Sequence, residues 1–234
     1  MVLSKPEIIK HYRAGNIIID PFNPANVANS SYDVRLGSFF YRQNQHMEHT
    51  ETLNPFWKNS VNKMYRTLEE AVKVEEVKSK INPFYNLSLK DKIILIKPQE
   101  TVLAHTIEFI GGRNGVKGLP AITTEMRARS SLGRIGIAVC KCAGWGDIGY
   151  VNRWTMEITN FSSAIIPLVV GMRVAQIIFH ETVPISEKDI YAASGKYQSD
   201  FDIKKIKKSW RPEMMLPQLY NDKDIGQFKK YWNK

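Results

Sequence analysis

The sequence predicts a mainly β fold: a distorted β-barrel or jelly roll with a short N-terminal helix and a C-terminal extension. Three observations predict it. From Lys92 onward, short runs rich in β-branched and aromatic residues recur at roughly ten-residue spacing. Turn signals built from Gly, Asn and Ser separate those runs. No helical repeat and no alternation of strands with helical segments is present, which sets aside a doubly wound parallel sheet.

Taken in order, Ser4–Glu7 opens a helix, with Ser4 as cap, Glu7 three residues later as in a capping box, and Pro6 in the first turn. Ile8, Ile9 and Tyr12 supply its apolar stripe and Gly15 its stop. Ile17–Ile19 is a short strand ended by Asp20 and Pro21. Residues 45–90 are polar and irregular and are expected to form an insertion, with a short charged helix over Glu69–Lys80. The expected strands are Ile93–Ile96, Thr101–Ile110, Ala121–Arg127, Gly136–Cys142, Trp154–Thr159, Ile165–Val170 and Arg173–Phe179. The turns between them include Gly111 and Gly112, Arg113–Gly115, Gly144–Gly149, Asn160–Ser163 and Gly171. One domain is expected over residues 1–200, with a basic extension over 201–234. That extension carries Lys204, Lys205, Lys207 and Lys208, and the tail after about residue 185 is dotted with Tyr191, Tyr197, Trp210, Tyr220 and Trp232.

Composition narrows the function classes. Of the 234 residues 43% are apolar and 24% charged, which excludes a wholly disordered or fibrous chain. The longest apolar run, Ala164–Met172, is broken by Pro167 and Gly171 and is too short to cross a bilayer. The N-terminus lacks a signal-peptide pattern, and Cys140 and Cys142 make no disulfide framework; a cytoplasmic, reducing environment is expected. Lys and Arg number 33 against 23 Asp and Glu, so an anionic partner is favoured.

Three segments carry candidate chemistry. Arg127–Arg134 packs three arginines and two serines into a strand end and turn. Guanidinium forks, hydroxyls and turn N–H groups suit a polyphosphate, although a solvated basic turn has the same composition. Ala143–Tyr150 has three glycines, which allow close backbone approach, and places Asp147 where it can accept a hydrogen bond from a sugar hydroxyl or orient water, although an ordinary β-turn carries an exposed Asp equally well. In Trp154–Asn160, period-two alternation puts Glu157 on a face with Thr155 and Thr159, opposite Met156 and Ile158. If that face is enclosed, burial raises the Glu157 pKa and suits it to general base and acid work. The zinc deaminase pattern, H-x-E followed by P-C-x-x-C, is absent: none of His11, His46, His49, His105 and His180 begins it. Cys140 and Cys142 are expected to be core residues. Phosphate-binding and dinucleotide-binding glycine loops are absent as well.

Together these segments resemble the dCTP deaminase branch of the dUTPase-like superfamily. The ordered match runs through Arg129–Arg134, Ala143–Asp147, Thr155–Glu157 and Gly171–Gln176, with Ser31–Gly37 similar to the family's first motif. It covers residues 1–40 and 92–200. The resemblance implies a distorted barrel, a cytoplasmic homotrimer with active sites shared between subunits, and Mg2+ held by the nucleotide's phosphates rather than by the protein. It implies deamination of dCTP to dUTP and ammonia without zinc, with Glu157, Arg134 and Ser130 catalytic. Nucleotide binding is implied for Arg129, Ser131, Leu132, Gly133, Ala143, Asp147, Thr155, Met156, Gln176, Tyr191, Lys196 and Tyr197. Trp145, in an Ala-Gly-Trp form, is similar to members that go on to hydrolyse dUTP to dUMP and pyrophosphate. The competing readings are a dUTPase alone, or a non-catalytic protein that binds nucleotides or, less in keeping with the motifs, nucleic acid. No membrane partner is expected.

Overall fold

A computed structural model describes residues 1–44, 52–65, 67–77, 84–198 and 200–222. Helix α1, Lys5–Ala14, ends where Gly15 turns left-handed at φ 78° and its N–H reaches the carbonyls of His11 and Tyr12. Ile8 faces the core, and Ile9 and Tyr12 pack against it. The expected capping box does not form. Ser4 makes no side-chain cap, because Glu7 is engaged by Lys10 at 2.8 Å instead.

After strand β1, Ile17–Asp20, come β2, Tyr32–Arg42, and helix α2, Lys58–Met64. The short strands β3, Glu69–Glu70, and β4, Val72–Lys73, lead into a single turn, α3, Val74–Val77. The charged helix expected over Glu69–Lys80 is therefore replaced by two strand fragments and one turn, as far as Val77; residues 78–80 lie outside the described residues. Pairing decides this, since Glu69 and Glu70 bond to β2 and Val72 and Lys73 to β5, Lys92–Ile96.

The remaining elements are β6, Thr101–Gly112; β7, Ala121–Ala128; α4, Ser130–Arg134; β8, Ile137–Ala138; and β9, Trp145–Gly146. They are followed by β10, Val151–Asn160; β11, Ile166–Val169; β12, Arg173–Thr182; α5, Tyr191–Ser194; and α6, Ile203–Ser209. The expected strand Gly136–Cys142 shrinks to Ile137 and Ala138, because Lys141 and Cys142 take positive φ and turn the chain. Cys142 is exposed rather than in the core; Cys140 packs partly against it.

A curled nine-stranded antiparallel sheet runs β8-β10-β6-β2-β12-β7-β9, with β1 added to β6 and β3 to β2. A smaller sheet runs β11-β5-β4. Alternate residues of these strands fill one core, among them Tyr32, Val34, Ile110, Ile122, Met156, Ile158, Ile177 and Phe179. Arg42 ties the two sheets together. It donates to Glu69 at 3.1 Å, to the buried Glu100 at 2.6 Å and to the Leu95 carbonyl on β5 at 3.0 Å.

Gly111 and Gly112 are not a turn, as their dipeptide suggests, but the end of β6, paired on one side with β1 and on the other with the start of β10. They are glycines because backbones close in there: a Cβ on Gly111 would lie 1.9 Å from the Tyr150 carbonyl oxygen. That oxygen belongs to main chain and has no rotamer to escape into. Gly111→Ala is expected to destabilise the fold by about 3 kcal/mol, the upper end of the usual overpacking range. The shift is read from the midpoint of chemical denaturation, and an unchanged midpoint contradicts the close approach.

Candidate active site

Strand β10 carries the central side chain. Its alternation turns Met156 and Ile158 fully into the core, while Thr155 and Glu157 line a cavity of about 380 Å³ on the other face. That volume is in the range of small-molecule sites. Ala143, Trp145 and Asp147 reach it from the segment around β9, Tyr150 and Asn152 from the entry to β10, and Tyr191 and Tyr197 from the chain after β12.

Glu157 stands in a half-buried position with Oε2 buried and, among the described residues, without a hydrogen-bond partner. Burial pushes its carboxyl pKa up, and its own backbone N–H and the Lys141 ammonium pull back. Lys141 is itself tethered, donating to the Thr101 hydroxyl at 3.0 Å. A carboxyl group that water does not fully solvate, with a free oxygen in a cavity, is equipped to take up and return a proton.

The chain after β12 is fastened at Gln198. Its carbonyl accepts from Val151 N–H at 2.7 Å, and its amide donates to the carbonyls of Gly149 at 3.0 Å and Asp200 at 2.9 Å. Asn152 donates to the Tyr197 carbonyl at 2.9 Å. These bonds hold Tyr197 beside the cavity. Tyr150 packs edge-on against Trp154 and Tyr191, with centroids 5.3 and 5.0 Å apart.

The predicted site residues fall into two groups. Ala143, Asp147, Thr155, Glu157, Tyr191 and Tyr197 come together in the cavity. Arg129, Ser130, Ser131, Leu132, Gly133, Arg134 and Gln176 do not line it within one chain. Residues 130–134 form α4, an exposed turn rooted by buried Leu132, with Ser130, Ser131 and Arg134 facing solvent. Asp33, buried, anchors the start of that turn: its Oδ2 is 3.1 Å from Arg173 and 3.7 Å from Arg129. Gln176 sits on β12 between Asp33 and Arg127. Lys196 is paired with Asp222 at 2.5 Å, away from the main cavity. The Met156 side chain belongs to the core, so only its backbone faces the site.

Several lining residues escaped sequence reasoning. Arg153 lies on the cavity wall with its guanidinium 4.9 Å from the Phe109 ring and 4.6 Å from the Trp210 ring. Carrying the alternation of Glu157 and Thr155 back by two residues finds it. Tyr65, Trp210, Met214, Met215 and Pro217 carry no local signal, because they arrive from the insertion and the extension. Trp210 also packs on His105, whose pKa burial lowers to about 4, so this ring is neutral at ordinary pH. Among the described residues, the one group of His, Cys, Asp or Glu with ligand atoms close enough to share a metal ion is Glu7, His11 and Glu181. None of the three lines the cavity.

Residues 2–182 match the family profile described as dCTP deaminase-like. The chain belongs to that family. Among curated relatives, the dUMP-forming dCTP deaminase of Sulfurihydrogenibium sp. (strain YO3AOP1) is 31% identical over 198 residues, 85% of this chain and 92% of that protein. The protein of the same description from Methanopyrus kandleri is 30% identical over 203 residues, 85% and 91% of the two chains. A solved 2'-deoxycytidine 5'-triphosphate deaminase from Agrobacterium tumefaciens overlaps at TM-score 0.49 and 18% identity, over 77% of this chain and 48% of that one. That last likeness is too distant to bear on the chemistry. The matched span includes β10, the segment around β9 and the α4 turn.

The raised pKa of Glu157 belongs to the folded state, so the unfolded chain sheds this proton first as pH rises. Stability therefore falls from about pH 4.3, the ordinary carboxylate value, up to the raised one, and stays at the lower level above it. Glu157→Gln is expected to melt higher than the wild type at pH 7, with the difference closing at about pH 4 and below. Thermal melts across that series check it; a gap that does not change with pH contradicts burial as the cause.

Proposed function

We propose that this protein deaminates dCTP at C4 and hydrolyses the product onward to dUMP and pyrophosphate. The observation that carries the reading is the half-buried Glu157 carboxyl, with an unpartnered oxygen in a cavity built from the motifs of a dCTP deaminase-like family. The relatives named as dUMP-forming support the second step.

In this reading Glu157 takes a proton from water as the water oxygen bonds to C4. It then delivers that proton to the 4-amino group, the C4–N bond breaks and ammonia leaves, and the proton of the hydroxyl left on C4 passes to N3, which gives the C4 carbonyl of uracil. Asp147, exposed at the cavity mouth, accepts a hydrogen bond from the deoxyribose. Tyr191 and Tyr197 flank the nucleotide on the side where the chain is pinned by Gln198. Arg129, Ser130 and Arg134 point outward from their own chain. We place them in the site of a neighbouring subunit of a homotrimer, where the hydroxyl positions water and the guanidinium groups take developing charge and phosphate oxygens. Mg2+ would enter on the triphosphate, since a hard cation that takes phosphate oxygens and keeps water ligands needs no protein cage. When bound it neutralises phosphate charge.

Incubation with dCTP and Mg2+ is expected to release ammonia, pyrophosphate and dUMP. Release of pyrophosphate from dUTP without ammonia from dCTP overturns the deaminase reading in favour of a dUTPase. Glu157→Gln is expected to lower deamination by at least about a hundredfold, the usual worth of a general base, while dCTP binding stays within a few-fold. The shared site gives a further check. Glu157→Gln and Arg134→Ala chains, each inactive alone, are expected to regain part of the activity when refolded as a mixture. Mixtures as inactive as their parents exclude a site completed by a neighbour.

A further inference from the structure

The insertion and the extension, both outside the motifs of the resemblance, meet beside Glu157. Tyr41, Leu103 and Glu157 stand level across three neighbouring strands, since Tyr41 is the register partner of Leu103 and Leu103 that of Glu157. Such partners share a face with Cβ atoms about 4.5–5.5 Å apart, so Leu103 is the apolar neighbour of the carboxylate. Tyr65 and Met215 pack with Tyr41 and Leu103 in one buried cluster, to which Met64 and Leu216 add bulk. Tyr65 is held in place by its bridge to Gln43 at the end of β2. Met215 follows α6 in a short 3-10 turn, Pro212–Met215, and is 4% exposed. Tyr65, Leu103 and Met215 all line the cavity.

The lining is thus divided. Asp147, Asn152, Thr155 and Glu157 are polar; Tyr65, Leu103, Met214, Met215 and Pro217 offer an aromatic ring, hydrocarbon and thioether. A cytosine ring is divided in the same way. O2, N3 and the 4-amino group form a polar edge, and C5–H and C6–H an apolar one. With C4 at Glu157, C5 is the next ring atom on the apolar edge, as Leu103 is the next apolar side chain. We propose that Tyr65, Leu103 and Met215 form the wall against the C5–H edge of cytosine, so that this protein selects dCTP over its 5-methyl analogue. This rests on the dCTP reading above and names its specificity.

The test compares kcat/KM for dCTP and 5-methyl-dCTP, by ammonia release, in the full-length wild type and in Met215→Ala. One methyl group against a filled apolar pocket is worth about 10–200-fold, so the wild type is expected to prefer dCTP by at least tenfold. Met215→Ala is expected to narrow that preference by at least about fivefold, chiefly through faster use of 5-methyl-dCTP. A merely structural role lowers both rates together and leaves their ratio alone, which overturns the wall. Equal use of both nucleotides by the wild type overturns it too. A wild type inert toward dCTP sinks the activity itself, and the wall with it, a failure distinct from the other two. Should Met215→Ala melt too low to assay, Met215→Val removes less volume and carries the same comparison with a smaller expected change.

Discussion

The structure turns on keeping water away from one carboxyl group without giving it a fixed partner. Glu157 is far enough from solvent for its pKa to be raised, yet Oε2 meets no donor among the described residues. Paired with an arginine, the group would add to the scaffold, as Glu108 does: its carboxylate accepts from Arg35 Nε at 2.6 Å and from the Arg35 backbone N–H at 2.9 Å. The two glutamates lie on adjacent strands of the same sheet. Their difference is one of environment, and it separates an acid held by an arginine from one whose oxygen is left unpartnered.

The barrel was legible because its signal is local. Alternation along β10 sends Met156 and Ile158 inward and Thr155 and Glu157 to the cavity, as the period of two requires. Ile17–Ile19 and Ile93–Ile96 likewise stand within strands. What misled was local composition whose meaning is set from a distance. Gly111 and Gly112 read as a turn, but the space for a side chain is taken by Tyr150 and Ile122 from other strands. Glu69–Lys80 has the charges of a solvated helix, but open strand edges claimed its first residues. Tyr65 and Met215 gave no sign of their place, because nothing within their own segments says which wall they cover.

The cavity is fixed by the β6–β10 ladder and by the Asn152 and Gln198 bonds to the returning chain. Outside it, α4 is carried by Asp33, which holds Arg173 and the first arginine of the turn together. The motif around Asp33 thus contributes through support: it sets the direction in which Arg129–Arg134 leaves the sheet. Two acids, Asp33 and Glu108, thus hold arginines within or beside residues 31–37, and both pairs serve the scaffold.

Gln198 satisfies its whole side-chain amide on main-chain groups, which fixes the point and heading at which the polypeptide departs for its last stretch. The chain before that staple carries Glu157, and Trp210, Met214, Met215 and Pro217 after it line one side of the chamber. The two contributions are therefore separable in heredity. Drift in that later segment can loosen or tighten what the chamber admits while the strands that carry Glu157 stay as they were.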